Sequence, residues 1–251
     1  WASNFSHTSK RFRQETPGVT EVTPNFKIRT IPALGYRRHV SLQRLQDHRH
    51  VATEWRKLAE SSEMPDRIVA SYPTIETCAE AARYARAHDV PLLIDIRDQY
   101  PDLYWENAPG MMRPIVKAMT GSARRLAREA LAGAVGITAN GPEVVQWGLR
   151  YAGRPAGAYD RSLFMSYEPP KVSAEDQARA EKYWAETLPG DRFIVAYTGM
   201  IGQTIELAPI FEVAPRLPEV TFVFCGGGDG LVAAEQEVTK RGLTNVLFTG
   251  W

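Results

Sequence analysis

Residues 193–203 read Phe-Ile-Val-Ala-Tyr-Thr-Gly-Met-Ile-Gly-Gln. Five apolar or aromatic residues run into Thr198, and Gly199 and Gly202 stand three positions apart. A short continuous apolar run bounded by glycine predicts a strand buried on both faces, as in parallel sheets. A helix is expected from about Glu206. Glycines at such a turn let backbone approach a ligand closely, and the N–H groups at a helix start attract anions. The same glycines also suit a plain strand–helix connection. The stretch therefore poses a choice between a phosphate-binding turn and an ordinary one.

Around it, strand and helix alternate. Residues 26–31, 67–71, 90–96, 134–138, 220–225 and 246–248 read as strands, and 42–59, 75–87, 126–132, 142–151, 206–214 and 231–241 as helices. Ser173 opens a further helix with Asp176 three residues on, a capping pattern. Residues 1–13 are polar and basic and read as a loop with a short helix. Such alternation predicts parallel sheets covered on both sides. Gly153, Pro155, Gly157, Pro169 and Pro170 interrupt it and mark a linker. The expected fold class is α/β, with two doubly wound Rossmann-like domains: 1–165, a linker and connecting helix over 166–190, and an incomplete second domain over 191–251.

Composition is that of a globular protein, with 44% hydrophobic and 24% charged residues. The net charge of +1 conceals an asymmetry: residues 1–173 carry 24 Lys and Arg against 18 Asp and Glu, the remainder 6 against 11. Cys78 and Cys225 have neither metal-ligand nor disulfide-framework spacing, which points to a reducing compartment. No apolar run approaches the roughly 18 residues of a membrane span. The chain starts at Trp1 and stops just after an apparent strand, so truncation at both ends is expected.

In open parallel sheets, ligands bind beyond the carboxyl ends of the strands. The unusual residues fall there: 71–76, 95–102 and 138–141 in the first half, 199–202 and 226–230 in the second. Together they describe a cleft. Each has a bland alternative: Gly226–Gly230 misses the dinucleotide fingerprint, since Leu231 holds its sixth position, and no Walker pattern occurs. Asp95, Arg97 and Asp98 suit either a structural ion pair or a substrate-positioning group. His7 is a lone loop histidine. Residues 111–131 hold Arg113, Lys117, Arg124, Arg125 and Arg128 against Glu129, with apolar residues between, a pattern that fits either an anionic membrane surface or a solvated helix face.

In this order the motifs resemble the glycosyltransferase family 4 type of GT-B enzyme, closest to the bacterial branch that builds surface polysaccharides. The matching residues are Trp1-Ala2-Ser3-Asn4-Phe5-Ser6-His7, Asp95-Ile96-Arg97-Asp98-Gln99-Tyr100-Pro101 and Tyr197-Thr198-Gly199-Met200-Ile201-Gly202, followed by Phe222-Val223-Phe224-Cys225-Gly226-Gly227-Gly228 and Asn245-Val246-Leu247-Phe248-Thr249-Gly250-Trp251. The resemblance implies retaining transfer of a hexosyl or N-acetylhexosaminyl group from a nucleotide-diphosphate sugar to a saccharide or lipid-linked acceptor. The first domain would bind acceptor and the second donor. By position, Gly199 and Gly202 would meet the donor diphosphate, Gln203 would also be donor-binding, Gly226 and Gly228 would line the nucleotide pocket, and Trp251 would lie near the base. Arg97 and Asp98 would face the transferring sugar, with His7 on the acceptor side.

No metal or other cofactor and no nucleic acid is expected, because helix N-termini and basic side chains can stabilise the departing diphosphate and no Asp-x-Asp triplet occurs. The expected location is cytoplasmic, peripheral at the inner membrane face through 111–131. Where many family members carry Arg or Lys near the first glycine, this chain has Met200, Gln203 and Thr204. By the resemblance, paired glutamates of the family would follow Trp251, and the domain shown is expected to be inactive alone. A sugar-nucleotide epimerase of the same fold and a non-catalytic nucleotide-sugar-binding subunit are the alternatives.

Overall fold

A computed structural model describes residues 1–251 except Thr8, Glu15, His39, Val40, Tyr167, Pro189, Asp191, Gln203 and Thr204. The chain divides into two compact units, Trp1–Tyr167 and Glu168–Trp251.

Unit 1 begins with short strands rather than the expected loop and helix: β1 (Ala2–Ser3), β2 (Phe5–Ser6) and β3 (Arg11–Phe12). Phe5 and Phe12 face each other across the antiparallel β2–β3 pair, their ring centroids 5.3 Å apart. That aromatic cross-strand pair holds the hairpin. β4 (Val19–Thr23) and β5 (Phe26–Ile31) form a hairpin that β1 joins in parallel. After α1 (Leu42–Glu60), capped by Ser41, β6 (Ile68–Tyr72), α2 (Ile75–His88) and β7 (Leu92–Ile96) follow.

The basic stretch 111–131 is broken into pieces. α3 (Asp102–Glu106), α4 (Arg113–Met119) and α5 (Gly121–Ala132) precede β8 (Gly136–Ala139), α6 (Pro142–Ala152) and β9 (Arg161–Ser162). The four strands β6-β7-β8-β9 are parallel and adjacent in chain order. β9 lies inside the segment read as linker. It is fastened there by Asp160, whose fully buried carboxylate pairs with Arg154 at 2.6 Å and accepts from Ile137 N at 2.8 Å.

Small residues let the helices approach this sheet. Ala79, Ala82, Ala127 and Ala130 are almost fully buried where α2 and α5 meet, and a Cβ on Gly148 of α6 would stand 2.6 Å from Ile96. Beneath them Leu92, Ile94 and Ile96 are wholly enclosed, each contributing about 1.5–3 kcal/mol. The opposite face is more open: Val69 is 70% exposed.

Unit 2 opens with α7 (Ala174–Thr187), whose Ser173 cap accepts from Asp176 N at 3.1 Å. Then come β10 (Phe193–Thr198), α8 (Ala208–Val213), β11 (Val220–Cys225), α9 (Leu231–Arg241) and β12 (Val246–Gly250), with the three strands parallel in chain order. Here the opening expectation needs correction. β10 is not buried on both faces: Phe193 is 72% exposed, and Ile194 and Val195 are 41% exposed. Among the described residues its one neighbour is β11, so one edge of its backbone and much of its apolar surface have no partner there. β11 has neighbours on both sides and is enclosed.

Asn245 anchors the connection into β11. Its buried amide nitrogen reaches the carbonyls of Ala214, Leu217 and Val220, each at 2.9 Å.

Candidate functional site

In unit 2 the turns after β10 and β11 interlock through backbone. Gly199 N donates to Cys225 O at 3.0 Å, Ile201 N to Gly227 O at 2.9 Å, and Gly230 N to Ile201 O at 2.9 Å. The contact is so close that a Cβ on Gly226 would stand 1.8 Å from Gly199 O, and one on Gly228 2.5 Å from Ile201 O. Both residues also hold positive φ, +155° and +153°. Steric room and backbone angle each demand glycine here.

The pattern of donors refines the expectation for this turn. The Gly199 N–H is spent on Cys225 and serves the strand ladder. The N–H groups of Gly202, Gly226, Gly227 and Gly228 make no hydrogen bond among the described residues. α9 starts immediately afterwards and points its own positive end toward the same turn. Trp251 is 89% exposed with its indole over Gly227, where an added Cβ would meet Nε1 at 2.8 Å. Gly202, Gly226, Gly228 and Trp251 are therefore gathered in one place, and Gln203 lies outside the described residues.

In unit 1 the strand ends are closed by side chains. Asp95 accepts from Thr138 Oγ1 at 2.8 Å and from Arg97 Nε, linking the ends of β7 and β8. Arg97 remains half exposed. Asp98, next to it, is exposed and makes no hydrogen bond or ion pair among the described residues. Just beyond, the Tyr100–Pro101 peptide is cis, and Tyr72 donates its hydroxyl to Tyr100 O.

The residue that sequence reading missed is Asp102. Its carboxylate accepts from Tyr151 Oη at 2.6 Å, Trp147 Nε1 at 3.0 Å and Trp105 Nε1 at 3.1 Å. Arg124 Nε, buried and without a hydrogen-bond partner among the described residues, stands 3.9 Å away. Burial opposes the Asp102 charge, but these three hydrogen bonds and Arg124 outweigh it and hold the carboxyl below its ordinary range. Burial and the bond to Asp102 push the Tyr151 phenol up to about 12. The available signal was local: Asp102 stands three residues before Trp105, the spacing at which its carboxylate meets that indole.

Arg124 thus faces inward, Arg128 lies over Tyr151 and Lys117 over Trp105. The exposed apolar residues of 111–131 lie on α4 and its approach, where Met111 is 91% and Met119 78% exposed beside Arg113 and Lys117. His7 occupies the β2–β3 turn, and its carbonyl accepts from Lys10 Nζ. Burial and then the nearby Arg44 charge lower the Lys10 ammonium below its usual range. Lys10, Phe5, Phe12, Tyr36 and Gln43 line a hollow of ≈390 Å³. Burial pushes the Cys78 thiol up to about 12, which makes it inert. No three His, Cys, Asp or Glu side chains converge on a metal position among the described residues, and no helix there is long and apolar enough to cross a membrane.

No protein-family model matches the chain, and neither does any curated protein. Solved structures do. HepE of Anabaena in complex with UDP matches with a TM-score of 0.53 and 15% identity, over 80% of this chain and 51% of that one. The same protein with UDP and glucose matches with a TM-score of 0.54 and 16% identity, over 88% of this chain and 55% of that one. The chain spans about half the length of these solved chains. At this identity the likeness concerns architecture, and with the two parallel α/β units it identifies the Rossmann-like GT-B fold.

Proposed function

We propose that the chain is part of a glycosyltransferase that takes a sugar from a nucleotide-diphosphate donor. The observation that carries this reading is the pair of interlocked glycine turns in unit 2. They present N–H groups of Gly202, Gly226, Gly227 and Gly228, without a partner among the described residues, at the carboxyl ends of β10 and β11. The UDP found in the HepE structures supports a nucleoside diphosphate as the ligand of such a fold.

The chemistry follows from charge. Cleaving the sugar–phosphate bond leaves negative charge on the diphosphate, and fixed N–H donors stabilise it without reorganising. A single well-placed donor of this kind is worth about 3 kcal/mol in a transition state. The N-terminus of α9 adds roughly 0.3–1 kcal/mol. Backbone supplies the role that Arg or Lys near Gly199 would otherwise have, so we assign this stabilisation to the protein rather than to a metal. Trp251 offers a flat apolar face for a base. Arg97 and Asp98 are assigned to the transferring sugar, and His7 and the aromatic hollow beside it to a saccharide acceptor.

We extend the reading to surface-polysaccharide synthesis with retention of configuration, on a lipid-linked acceptor at the inner membrane face. The exposed Met111, Ile115 and Met119 beside Arg113 and Lys117 support the membrane part. Incubating the full-length protein with UDP-glucose and other nucleotide sugars, with and without a lipid-linked saccharide, tests the whole. Transfer that requires the acceptor supports a transferase. Acceptor-independent change of the donor sugar indicates an epimerase, and tight donor binding without turnover a binding subunit.

A further inference from the structure

The hollow at the β2–β3 hairpin has a wall of rings and a rim of cations. Phe5 and Tyr36 are buried with their ring centroids 5.0 Å apart, and Phe12 packs on Phe5 yet stays half exposed. Gly35 fits against both phenylalanines: a Cβ there would stand 3.1 Å from each ring, and its φ is +76°. Asp47 of α1 fastens this wall. Its buried Oδ1 accepts from Leu34 N and Gly35 N, both at 2.8 Å, so its charge is committed to backbone. The charged side chains that line the hollow among the described residues are Lys10 and Arg37, both cationic. Arg37 is exposed and makes no hydrogen bond or ion pair among the described residues. Lys10 holds a φ of +56°, a left-handed conformation that residues other than glycine seldom adopt, and its Nζ stands 4.5 Å from the Tyr36 ring centroid. The Arg44 guanidinium stands 6.0 Å from the same centroid, and its charge opposes that of Lys10. Gln43 and Gln46, one turn apart on α1, expose amides that both donate and accept at the same hollow.

We propose that this hollow binds an acceptor sugar that carries an anionic group, a uronate carboxylate or a phosphate ester. The proposal rests on the assignment of the hollow to a saccharide acceptor and narrows it to an acidic one. A neutral sugar suits the rings and the amides but leaves Arg37 without an anion and the repulsion between Lys10 and Arg44 in place. An anionic group at the rim answers both. It accepts a charge-assisted hydrogen bond from Arg37, and its field offsets the crowding of the other two cations. An inorganic anion alone leaves the exposed face of Phe12 unused. A pyranose lays its C–H face on that ring, while Gln43 and Gln46 meet its hydroxyls. The hollow, at ≈390 Å³, has the size of a small-ligand site. Its wall is set before the sugar arrives, because Asp47 and Gly35 already hold the rings in place.

Sugar binding to the full-length protein, with no nucleotide present, tests this. Methyl glucoside, methyl glucuronide and methyl glucoside 6-phosphate are titrated while the backbone amide resonances of Phe12, Gly35 and Arg37 are followed. At least one anionic sugar should saturate these amides at roughly tenfold lower concentration than the neutral one, an advantage that added salt diminishes. The tighter of the two anionic sugars assigns the group as carboxylate or phosphate. Arg37→Gln, at an exposed position, should remove the advantage with the affinity for methyl glucoside unchanged. Equal affinity for all three sugars overturns the proposal, and so do shifts that saturate away from the hollow. Inorganic phosphate that shifts the same amides as tightly as the phosphate ester also overturns it, because the hollow is then a site for an ion alone. The outcome is separable from catalysis: anion preference without sugar transfer removes the transferase reading, and transfer without anion preference removes this inference alone.

Discussion

In unit 1 the carboxyl ends of the strands are held by side chains: Thr138 and Arg97 converge on Asp95, and three ring donors converge on Asp102. In unit 2 the corresponding ends are held by backbone, with Gly199, Ile201 and Gly230 bonded directly to the neighbouring turn. The materials suit different tasks. Charged side chains can be aimed at a polar substrate and replaced one at a time. A backbone turn leaves no side chain in the way of a large anion and offers donors that cannot rotate. The cost is intolerance: any Cβ at the crossing point collides with main chain.

That contrast makes the largest expected effect a glycine substitution. Gly226→Val drives a side chain into the Gly199 carbonyl and forces an unfavourable φ. Overpacking and strain together cost about 4 kcal/mol. In denaturant titration of the full chain the loss should appear in unit 2, with the amides of β7 unaffected. A change below about 1 kcal/mol would mean that the two turns are not locked together.

The unit 1 counterpart is Asp102→Ala, which strands the donors of Trp105, Trp147 and Tyr151 and the Arg124 charge. It should cost about 3 kcal/mol, confined to unit 1. Its pH dependence has a definite sign. The folded carboxyl titrates below its ordinary value of about 3.9. Its contribution is therefore complete above that pH and disappears as pH falls through the lower folded value. Asp102→Asn should flatten the acid limb of stability against pH; an unchanged limb would assign acid sensitivity elsewhere.

Smaller still is Arg97→Ala. The side chain is half exposed and its pair with Asp95 is worth less than about 1 kcal/mol, so stability should barely move. Sugar transfer by the full-length protein should fall about a hundredfold with nucleotide affinity retained. Unchanged transfer would reduce Arg97 to a strand-end tie. The least severe change is at α4, where Met119→Ser with Met111→Ser should leave stability within about 0.5 kcal/mol. It should weaken sedimentation with anionic liposomes, and equal recovery would remove the membrane assignment.

Much of this was legible in the sequence, in an uneven way. The strands around Ile94 and Phe224 announce themselves by short apolar runs, and Gly242 ends α9 in the left-handed conformation as its position suggests. β10 was read correctly as a strand but wrongly as buried. Composition reports apolar side chains, and it does not tell which neighbouring strands cover them. The glycine turns were legible because collision with main chain leaves no other residue type. Asp102 was hidden because its partners come from α3, α5 and α6, brought together by folding alone. The β2–β3 hairpin escaped because the Phe5–Phe12 pair is weaker in sequence than the polar residues around it.

The central claim is that a nucleoside diphosphate binds unit 2 through backbone. Titrating UDP into the isotope-labelled chain while following backbone amide resonances tests it most directly. The account predicts saturable shifts centred on Gly202, Gly226, Gly227 and Gly228, with Gly199 little changed because its N–H is already committed to Cys225. Shifts that saturate elsewhere, or none at these glycines at millimolar UDP, would contradict it.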